Sequence, residues 1–501
     1  MKKKQICLLF IALLLPAFLM PSANAQIGKR FPSEKKVIID PVTGIQLTFL
    51  TSKPGMGDSK IYQTHPQWTY DGKWVIFRSN RVPGEGMAVN EESGVLVQIT
   101  EGGYTGSLNI SRKALKLFIM RRLPEPGQTS AQAASTRRRN EPAAPAPAPS
   151  QARGTGQGGR PQAGFNRMPG GPVQIIEVDL AKVFADSEAG KMQKASFYER
   201  VCGTIPGEME PGDMAIDSNE DFAYFRIGAS EAGKYRTAVM PNPEIFVGRT
   251  GAQSQSGLAS MNLKTGEIKF IISVPFGIGH VQCNPFVPGE IVFCWETGGK
   301  APVRMWTVKS DGSGFRPVYK ETEYEWITHE AVITPDEVAF YIMGHRPVGT
   351  TYETDPSAPP QVVDPLNPGQ QKEWGPSGTR EKPTGLAVVN LRTREMRIEG
   401  QTKSGSGLWH GSGSADGRWL VGDDFSRSIY LIDRNNHEMI MLSTGHKETA
   451  ADHTHPSFSP DGTRIEIQSA MLSDDNRSMN ICIIPVPETW LKRTYTKTVP
   501  K

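Results

Sequence analysis

Residues 455–467 read HPSFSPDGTRIEI, a short aromatic strand followed by a Pro-Asp-Gly turn and a second strand of alternating apolar residues. Two strands joined by such a turn are typical of a β-hairpin. A turn followed by an apolar strand occurs seven times along the chain, at residues 65–77, 108–118, 214–225, 284–293, 329–341, 410–421 and 455–467. Each copy is followed by a further apolar strand and usually by a second turn, which indicates units of four strands.

The spacing of these units predicts the fold. Four-stranded units that repeat every roughly 40 to 45 residues are typical of β-propellers, and the 51 glycines and 39 prolines fit a chain rich in turns and short strands. We therefore predict an all-β protein, a seven-bladed β-propeller. We also expect the early strand at residues 46–50 to close the ring by completing the blade that ends at residues 481–485.

The first 25 residues have the pattern of a secretory signal peptide. Lys2-Lys3-Lys4 precedes an apolar run from Ile6 to Met20, and Ala23-Asn24-Ala25 follows as a cleavage signal. The apolar run is too short to span a bilayer comfortably, and no later run is long enough to do so. We expect residues 26–501 to form the propeller domain and to be exported to a bacterial periplasm or to the exterior.

Two segments interrupt the repeat. Residues 123–172 are rich in Pro, Ala, Gly, Gln and Arg, and residues 346–385 are rich in Pro, Gly and Thr. Neither holds enough large apolar residues to offset the entropy lost on ordering. We interpret both as loop insertions, the first largely disordered. They serve either as spacers or, through the arginines of the first, in adhesion to glycans or the cell wall.

Charge and cysteine content exclude two classes of protein. The formal net charge is only +4, part of it from the signal and from Arg137-Arg138-Arg139, so nothing supports nucleic-acid binding. Four cysteines in the mature chain are too few for a disulfide scaffold. Among Cys202, Cys283, Cys294 and Cys482, the middle two either face each other across one hairpin as a disulfide or are buried thiols.

Histidines lie at equivalent places in the repeat. Six of the nine are at or just before the strand that opens a blade: His65, His280, His329, His410, His453 and His455. Equivalent strand starts converge around the mouth of a propeller's channel, so these side chains are expected to meet there, as in a metal site or an acid–base site. In an extended strand, residues two apart share a face, so the last two can aim at one point. The other three, expected at the surface, are His345, His437 and His446.

Several motifs recur in the same order and spacing in one family of propeller enzymes. They are Gly279-His280, IVFC at residues 291–294, RMWTVKSDGS at 304–313, Thr328-His329-Glu330, VGD at 421–423 and HTHPSF at 453–458. These motifs resemble the oligogalacturonate lyases, seven-bladed propellers that cleave short pectic uronides. The resemblance covers most of the mature chain apart from the two insertions.

The resemblance implies a secreted lyase that cleaves uronic-acid oligosaccharides by β-elimination. In the family's pattern His280 is the base, and His329, His453 and His455 hold manganese; zinc is also chemically plausible for three histidines. Loss of the proton α to the carboxylate builds a doubly negative intermediate, which a divalent ion stabilises as a Lewis acid, and a neutral imidazole is a suitable base. The residues expected at the substrate are His410, Arg304 and His65.

The chain departs from the family's pattern at four places. Two are local replacements, Trp295-Glu296 for a His-Glu pair and His453-Thr454-His455 for His-Pro-His, and two concern expected ligands. Ala450 stands where the family has a glutamine as fourth metal ligand, and residues 256–259 lack the family's substrate-binding arginine. The candidate replacements are water, Asp452 or a residue of another blade for the glutamine, and Arg304, Arg226 or Arg78 for the arginine. These departures leave open a different uronic-acid glycan as substrate, a non-catalytic TolB-like propeller that binds protein or glycan in the periplasm, and another enzyme class such as a metal hydrolase.

Overall fold

The computed structural model describes residues 26–124, 170–240, 255–296, 301, 303–321, 325–344, 385–401 and 408–494. Within them, thirty strands form seven antiparallel sheets of four or five strands, the seven blades of a propeller. The all-β fold and the number of blades predicted from the repeat are therefore confirmed. The predicted signal peptide and most of the two predicted insertions lie outside the described residues.

The strands follow the chain from blade 1 to blade 7. The three N-terminal strands are β1 (Arg30–Phe31), β2 (Lys36–Ile39) and β3 (Gln46–Phe49). The strands of blades 1 to 3 are β4 (Ser59–Lys60), β5 (Trp74–Arg78), β6 (Gly86–Asn90) and β7 (Leu96–Gln98); β8 (Thr105–Ile110), β9 (Lys116–Arg122), β10 (Val173–Asp179) and β11 (Glu199–Ile205); and β12 (Gly212–Ile216), β13 (Phe222–Ile227), β14 (Ser256–Asn262) and β15 (Ile268–Val274).

The later blades follow the same scheme. The strands of blades 4 to 6 are β16 (Ile278–Cys283), β17 (Glu290–Trp295), β18 (Met305–Lys309) and β19 (Arg316–Pro317); β20 (Glu325–Thr334), β21 (Glu337–Gly344), β22 (Gly385–Asn390) and β23 (Met396–Gly400); and β24 (Leu408–Gly413), β25 (Trp419–Asp424), β26 (Ile429–Asp433) and β27 (Met439–Ser443). Blade 7 contains β28 (Ser457–Phe458), β29 (Arg464–Ser469) and β30 (Asn480–Pro485).

The N-terminal strands complete two blades. In blade 7 the sheet continues from β30 to β3 and then to β2, and β1 adds to the outer edge of blade 1. Thr48 pairs with Ile483 and Phe49 with Cys482, so the ring is closed by the early strand, as predicted. A blade built from both ends of the chain joins the first and last parts of the ring by hydrogen bonds.

The described helices are short and lie between strands, except for the last one, which follows β30. They are α1 (Leu180–Ala189), α2 (Ala195–Tyr198), a 3-10 turn (Gly207–Met209), α3 (Ala229–Ala232) and α4 (Glu488–Leu491). The Asp179 side chain caps α1 by accepting from the Lys182 backbone N–H, and the helix ends at Gly190 with φ 67°. In the part of the chain that the structure describes, no helix has the length and apolar character needed to cross a membrane.

Both predicted insertions leave their blades intact. β9 ends at Arg122 and β10 begins at Val173, and these two residues pair directly. β21 and β22 are likewise paired, with Ile342 opposite Gly385. Each long segment therefore connects two neighbouring strands of one sheet, where added length does not disturb the pairing.

The apolar faces of neighbouring blades form the core. Ile76 and Val97 of blade 1, for example, lie in one buried cluster with Leu117 and Ile176 of blade 2. Strands in such a fold are covered on both faces, and all six residues of β17 are buried. This explains the continuous apolar runs in the sequence.

The cysteines are thiols in the folded chain. Cys294 lies opposite Gly279 across the β16–β17 pair, whereas Cys283 lies opposite Ile291. Cys202, Cys283, Cys294 and Cys482 are all free. Of the two interpretations left open by the sequence, the one without a disulfide is therefore confirmed.

Candidate functional site

The innermost strands of three consecutive blades are bulged. The pairing register shifts between Gly279 and Gln282 in β16, between Thr328 and Ala331 in β20, and between Leu408 and His410 in β24. In the first two bulges a histidine has a left-handed backbone, His280 with φ 50° and His329 with φ 51°. This conformation is uncommon and strained for a residue other than glycine. A bulge re-aims a side chain, so these histidines leave the regular alternation of their strands.

The segment 453–455 is not the extended strand expected from its sequence. It is irregular and precedes β28, and His455 has a left-handed backbone with φ 48°. Pro456 has no N–H to donate to a ladder, and the His455 carbonyl accepts a hydrogen bond of 2.7 Å from Lys60 Nζ. The expected backbone is therefore wrong, although both histidine rings of the segment contact His410.

Five of the six predicted histidines meet at one channel mouth. The His410 ring lies at the centre, with its centroid 4.0 Å from that of His329 and 3.8 Å from that of His455. The His453 ring is 5.0 Å from it, and the His280 ring lies at the edge, 6.4 Å from His329. The structure thus places His410, which was expected at the substrate, among the predicted metal ligands.

Three imidazole nitrogens in this cluster are buried and make no hydrogen bond of regular geometry among the described residues, although two of them lie 3.4 and 3.6 Å from oxygens of Asp423. They are the Nδ1 atoms of His329, His410 and His453. Burial lowers the pKa of His329 well below its usual value, and burial together with His455 lowers the pKa of His410 to about 3. A buried polar atom without a partner costs about 1–3 kcal/mol, so a group of imidazoles with buried nitrogens in this state fits a divalent transition-metal ion.

Two carboxylates support the cluster. Asp423 accepts a hydrogen bond of 2.7 Å from the His410 backbone N–H, and its Oδ2 lies 3.6 Å from His453 Nδ1. Burial alone would raise the pKa of Asp423, but the two histidines hold it well below its usual range. Asp452 Oδ2 lies 3.1 Å from His455 Nε2. His410, Asp423 and His453 bring donor atoms within 4.8 Å of one another, a candidate metal group.

His280 is held by a buried carboxylate. Its Nδ1 lies 3.1 Å from Oε1 of Glu330. Burial alone would raise the pKa of Glu330, but the charges of Arg304 and His280 lower it to about 2, so this carboxylate is ionised and can accept a hydrogen bond from Nδ1. In that tautomer the lone pair lies on Nε2. Because 23% of the His280 side chain is exposed, the ring is accessible from the mouth.

Arg304 lies behind His280 and not in the open mouth. Its side chain is 5% exposed, and its Nε donates to Oε2 of Glu330 at 3.0 Å. Its Nη2 lies 3.3 Å from His280 Nδ1 and 3.6 Å from Oε2 of Glu296. The guanidinium is therefore placed to fix the carboxylate that holds His280, and its role at the substrate stays a prediction.

His65 is not part of the cluster. Its Nδ1 lies 2.8 Å from the Thr64 hydroxyl and its Nε2 lies 3.1 Å from the Met214 carbonyl oxygen, so both ring nitrogens have partners. It lines a separate small cavity together with Cys283. The His65 N–H donates to the Tyr62 carbonyl at 3.0 Å, and this turn redirects the chain. The expectation that all six histidines share one mouth is therefore wrong for His65.

Some residues of the mouth were missed by the sequence analysis. The Tyr62 ring lies 4.8 Å from that of His280 and 5.2 Å from that of His455, and Gln63 Oε1 lies 2.7 Å from His455 Nδ1. Both residues stand just before the first copy of the hairpin repeat, which was the available signal. Glu330 could also have been identified as a candidate from the sequence, because it directly follows His329, a predicted metal ligand.

Two other expectations near the cluster can be compared with the structure. His446, expected at the surface, is fully buried, with Nδ1 2.7 Å from the Ser469 hydroxyl, so that expectation is wrong. Ala450 lies in a small apolar cluster with Ala470 and Met479 and offers no donor atom. A fourth metal ligand would have to come from water or from another part of the chain.

No family model matches the chain. An oligogalacturonide lyase from Pectobacterium atrosepticum is 22% identical over 232 residues. The alignment covers 42% of this chain and 50% of that protein. The chain thus matches about half the length of this curated relative.

Solved structures share the fold over a longer range. An oligogalacturonate lyase in complex with manganese and an oligogalacturonate lyase from Vibrio parahaemolyticus each match with a TM-score of 0.61, at 18% and 17% identity. Each comparison covers 93% of this chain and 100% of the other. At such identities the likeness shows the fold alone. The chain is thus similar to the oligogalacturonate lyases in part of its sequence and in nearly the whole of its fold.

Proposed function

We propose that the chain is a metal-dependent lyase that cleaves uronic-acid oligosaccharides, oligogalacturonides or a related uronide, by β-elimination. The observation that carries the proposal is the meeting of a carboxylate-held His280 with a cluster of closely packed histidines at one channel mouth. A base and a site for a divalent cation are thereby adjacent. The oligogalacturonide lyase relative and the manganese complex of a structural neighbour support the same reading.

His280 is the proposed base. β-Elimination removes the proton at C5, which is α to the uronate carboxylate, and expels the glycosidic oxygen from C4. An imidazole has an ordinary pKa of about 6.5, near ambient pH, which suits it to this transfer. Nε2 takes the proton, and Glu330, 3.1 Å from Nδ1, stabilises the imidazolium that forms. Arg304 keeps this carboxylate ionised and in place.

The histidine cluster is the proposed metal site, with Mn²⁺ as the first choice and Zn²⁺ as the second. The residues that would hold the ion are His329, His410, His453 and His455. Once bound, a divalent cation supplies Lewis-acid stabilisation of the charge on the substrate carboxylate. We add His410 to the ligands predicted from the sequence because its ring lies between theirs. Asp423 orients two of these rings, as carboxylates commonly do for metal-bound histidines.

We also propose that the protein acts outside the cytoplasm. The signal-peptide pattern of residues 1–25 supports export. An extracellular or periplasmic site suits an enzyme whose substrates are fragments of cell-wall polysaccharide. Fractionation of a producing cell, with detection of a mature chain that begins near Gln26, tests this part of the proposal.

One combined measurement tests the function. The purified mature protein is analysed for bound metal and assayed by ultraviolet absorbance for unsaturated uronide product, on a panel of pectic and other uronic-acid oligosaccharides. We expect one ion per chain in the histidine cluster and new absorbance on at least one uronide. If the protein binds no metal after manganese or zinc is supplied and is inactive on the whole panel, the lyase proposal is wrong and the non-catalytic binding propeller takes its place.

A further inference from the structure

A second group of metal-ligating side chains lies beside the proposed base. Nε2 of His280 is 3.8 Å from Oε2 of Glu296, and the Cys294 thiol donates to the same oxygen at 3.7 Å. The three donor atoms lie within 4.8 Å of one another. Histidine, cysteine and glutamate are all ligand types of Zn²⁺, and three protein ligands with one open position are a common zinc arrangement.

The spacing of these donors is close to that of a tetrahedral site. Zinc–ligand bonds of about 2.0–2.3 Å at tetrahedral angles separate neighbouring donor atoms by roughly 3.5 Å. The distances from Oε2 of Glu296 to the imidazole nitrogen and to the sulfur, 3.8 and 3.7 Å, exceed this by only a few tenths of an ångström. The imidazole nitrogen and the sulfur lie within 4.8 Å of each other, so a bound ion would also have to draw these two donors together.

The local charge favours a cation. Arg304 lies 3.6 Å from Glu296 and 3.0 Å from Glu330, so among these three described side chains one guanidinium faces two carboxylates, a balance of one negative charge. A divalent ion together with a deprotonated Cys294 brings this balance to zero. The nearby guanidinium therefore does not prevent binding, because the carboxylates already offset its charge.

The group is open to ions from the channel mouth and differs in chemistry from the histidine cluster. The side chains of His280 and Glu296 are 23% and 25% exposed, and Cys294 is fully buried beneath them. Thiolate ligands favour zinc and similar soft ions over manganese. The donors that the structure places in the cluster around His410 are imidazoles and carboxylates. A spectroscopic signal from a metal–thiolate bond therefore distinguishes the group at Cys294 from the histidine cluster.

We propose that His280, Cys294 and Glu296 form a second, inhibitory metal site that prefers Zn²⁺ and other thiophilic ions to Mn²⁺. Binding displaces the thiol proton into solvent and leaves one coordination position for water. Because the ion takes Nε2 of His280, it removes the lone pair that would accept the substrate proton. The inhibitory consequence rests on the proposed function, whereas the binding itself does not.

Cobalt provides a direct test of binding. The mature protein is stripped with a chelator, reloaded with Mn²⁺ and titrated with Co²⁺, whose bond to a thiolate gives a sulfur-to-cobalt charge-transfer band in the near ultraviolet. We expect this band in the parent protein and its loss in Cys294→Ser. Cys283→Ser is the matched control, because this cysteine lies in β16, the strand of His280, and outside the proposed group, so the band should persist.

Two results of the cobalt titration would overturn the proposed site. Absence of the band in the parent protein, or its persistence in Cys294→Ser, overturns the proposed site. If circular dichroism shows that Cys294→Ser does not fold, Glu296→Gln replaces it and should weaken cobalt binding at least about tenfold. Unchanged cobalt affinity in a folded Glu296→Gln variant overturns the assignment as well.

A second arm measures inhibition. Zn²⁺ is added to the manganese-loaded protein, retained manganese is counted, and the rate of uronide cleavage is divided by the zinc-free rate of the same variant. We expect zinc to inhibit the parent while manganese is retained, and to inhibit Cys294→Ser much less. Cleavage that zinc leaves unchanged overturns the inhibitory role, whereas a cobalt band in a protein that cleaves no uronide keeps the site and rejects the proposed function.

Discussion

Blades 2 and 3 carry the same kind of inner-strand bulge as blades 4 and 5, but with different side chains. The bulge of β8 contains Gly106 with φ 72°, and that of β12 contains Asp213 with φ 37°. The corresponding residues of blades 4 and 5 are His280 and His329. The bulge is thus a property of the repeat, whereas the histidines belong to one half of the ring. A left-handed backbone costs roughly 1–3 kcal/mol for residues other than glycine, so the histidines occupy strained positions that glycine would fill more easily.

His65 and His410 have similar places in the sequence repeat, but they also differ between the two halves of the propeller. His65 has partners on both ring nitrogens, Thr64 and the Met214 carbonyl. His410 lies between the rings of His329 and His455, and its Nδ1 is 3.4 Å from Oδ1 of Asp423. The His65 ring is thus held apart from the other imidazoles, whereas the His410 ring is one of a group. We therefore expect the metal site and the base of this propeller to lie in blades 4 to 7.

Removing two histidines from blade 7 should have the largest effect. We expect the double change His453→Ala and His455→Ala to abolish metal binding and, with it, cleavage, because the ion loses two imidazole ligands from one segment. Elemental analysis after dialysis measures the bound ion. His65→Ala is the control from the other half of the ring and should keep its metal. One ion per chain in the double variant would contradict the proposed site.

The next largest effect is expected at the proposed base. His280→Ala should lower kcat by about 10²–10⁴, which is the usual contribution of a general base, and should leave the ion of the histidine cluster bound. The rate of ultraviolet absorbance change and the metal content are measured on the same sample. Added imidazole should restore part of the lost rate. Activity within threefold of the parent would show that another group removes the proton.

The sequence was sufficient for the parts that the repeat itself encodes. The hairpin motif predicted seven blades, and residues 46–50 were recognised as the strand that closes the ring, because both follow from local alternation and turn chemistry. The strand starts also predicted that six histidines would converge, and five of them do. These features depend on residues near one another in the chain or on the symmetry of the fold.

The missed features depend on contacts between blades or on irregular backbone. Glu330 of blade 5 holds His280 of blade 4, and no local pattern encodes a contact between residues fifty positions apart. His65 was misplaced because a turn at Tyr62 breaks the alternation. The left-handed backbone of His455 was also hidden, because glycine, the usual signal for that conformation, is absent there.

A smaller effect is expected from a buried lysine that supports blade 7. Lys60 Nζ donates to the His455 carbonyl and to the Ser457 hydroxyl, each at 2.7 Å, and lies 3.8 Å from Glu466. Lys60→Met removes the bond that holds the strained backbone of His455. We expect manganese affinity to fall about 10- to 100-fold, as for other residues that position a ligand, when measured by competition with a chelator.

A second variant separates positioning from the burial of charge. Lys60→Met leaves the buried carboxylate of Glu466 without its cation, which by itself destabilises the fold. In Lys60→Met combined with Glu466→Gln the unpaired charge is gone, but the hydrogen bond to His455 is still missing. We expect this double variant to regain stability in urea denaturation while its manganese affinity stays low. Full recovery of the affinity would assign the effect to charge and not to the position of His455.

The smallest effect is expected from a substitution in a left-handed bulge that contains no histidine. A Cβ added at Gly106 would lie 3.9 Å from Met120 Sδ, an ordinary contact, so Gly106→Ala changes the backbone preference and little else. We expect a loss of about 1 kcal/mol in the free energy of unfolding, and a smaller loss for Gly106→Asn because asparagine tolerates this conformation better. The urea midpoints at unchanged m-value measure both. If alanine costs nothing, the bulge is not strained, and the left-handed histidines of blades 4, 5 and 7 need no functional explanation for their backbone.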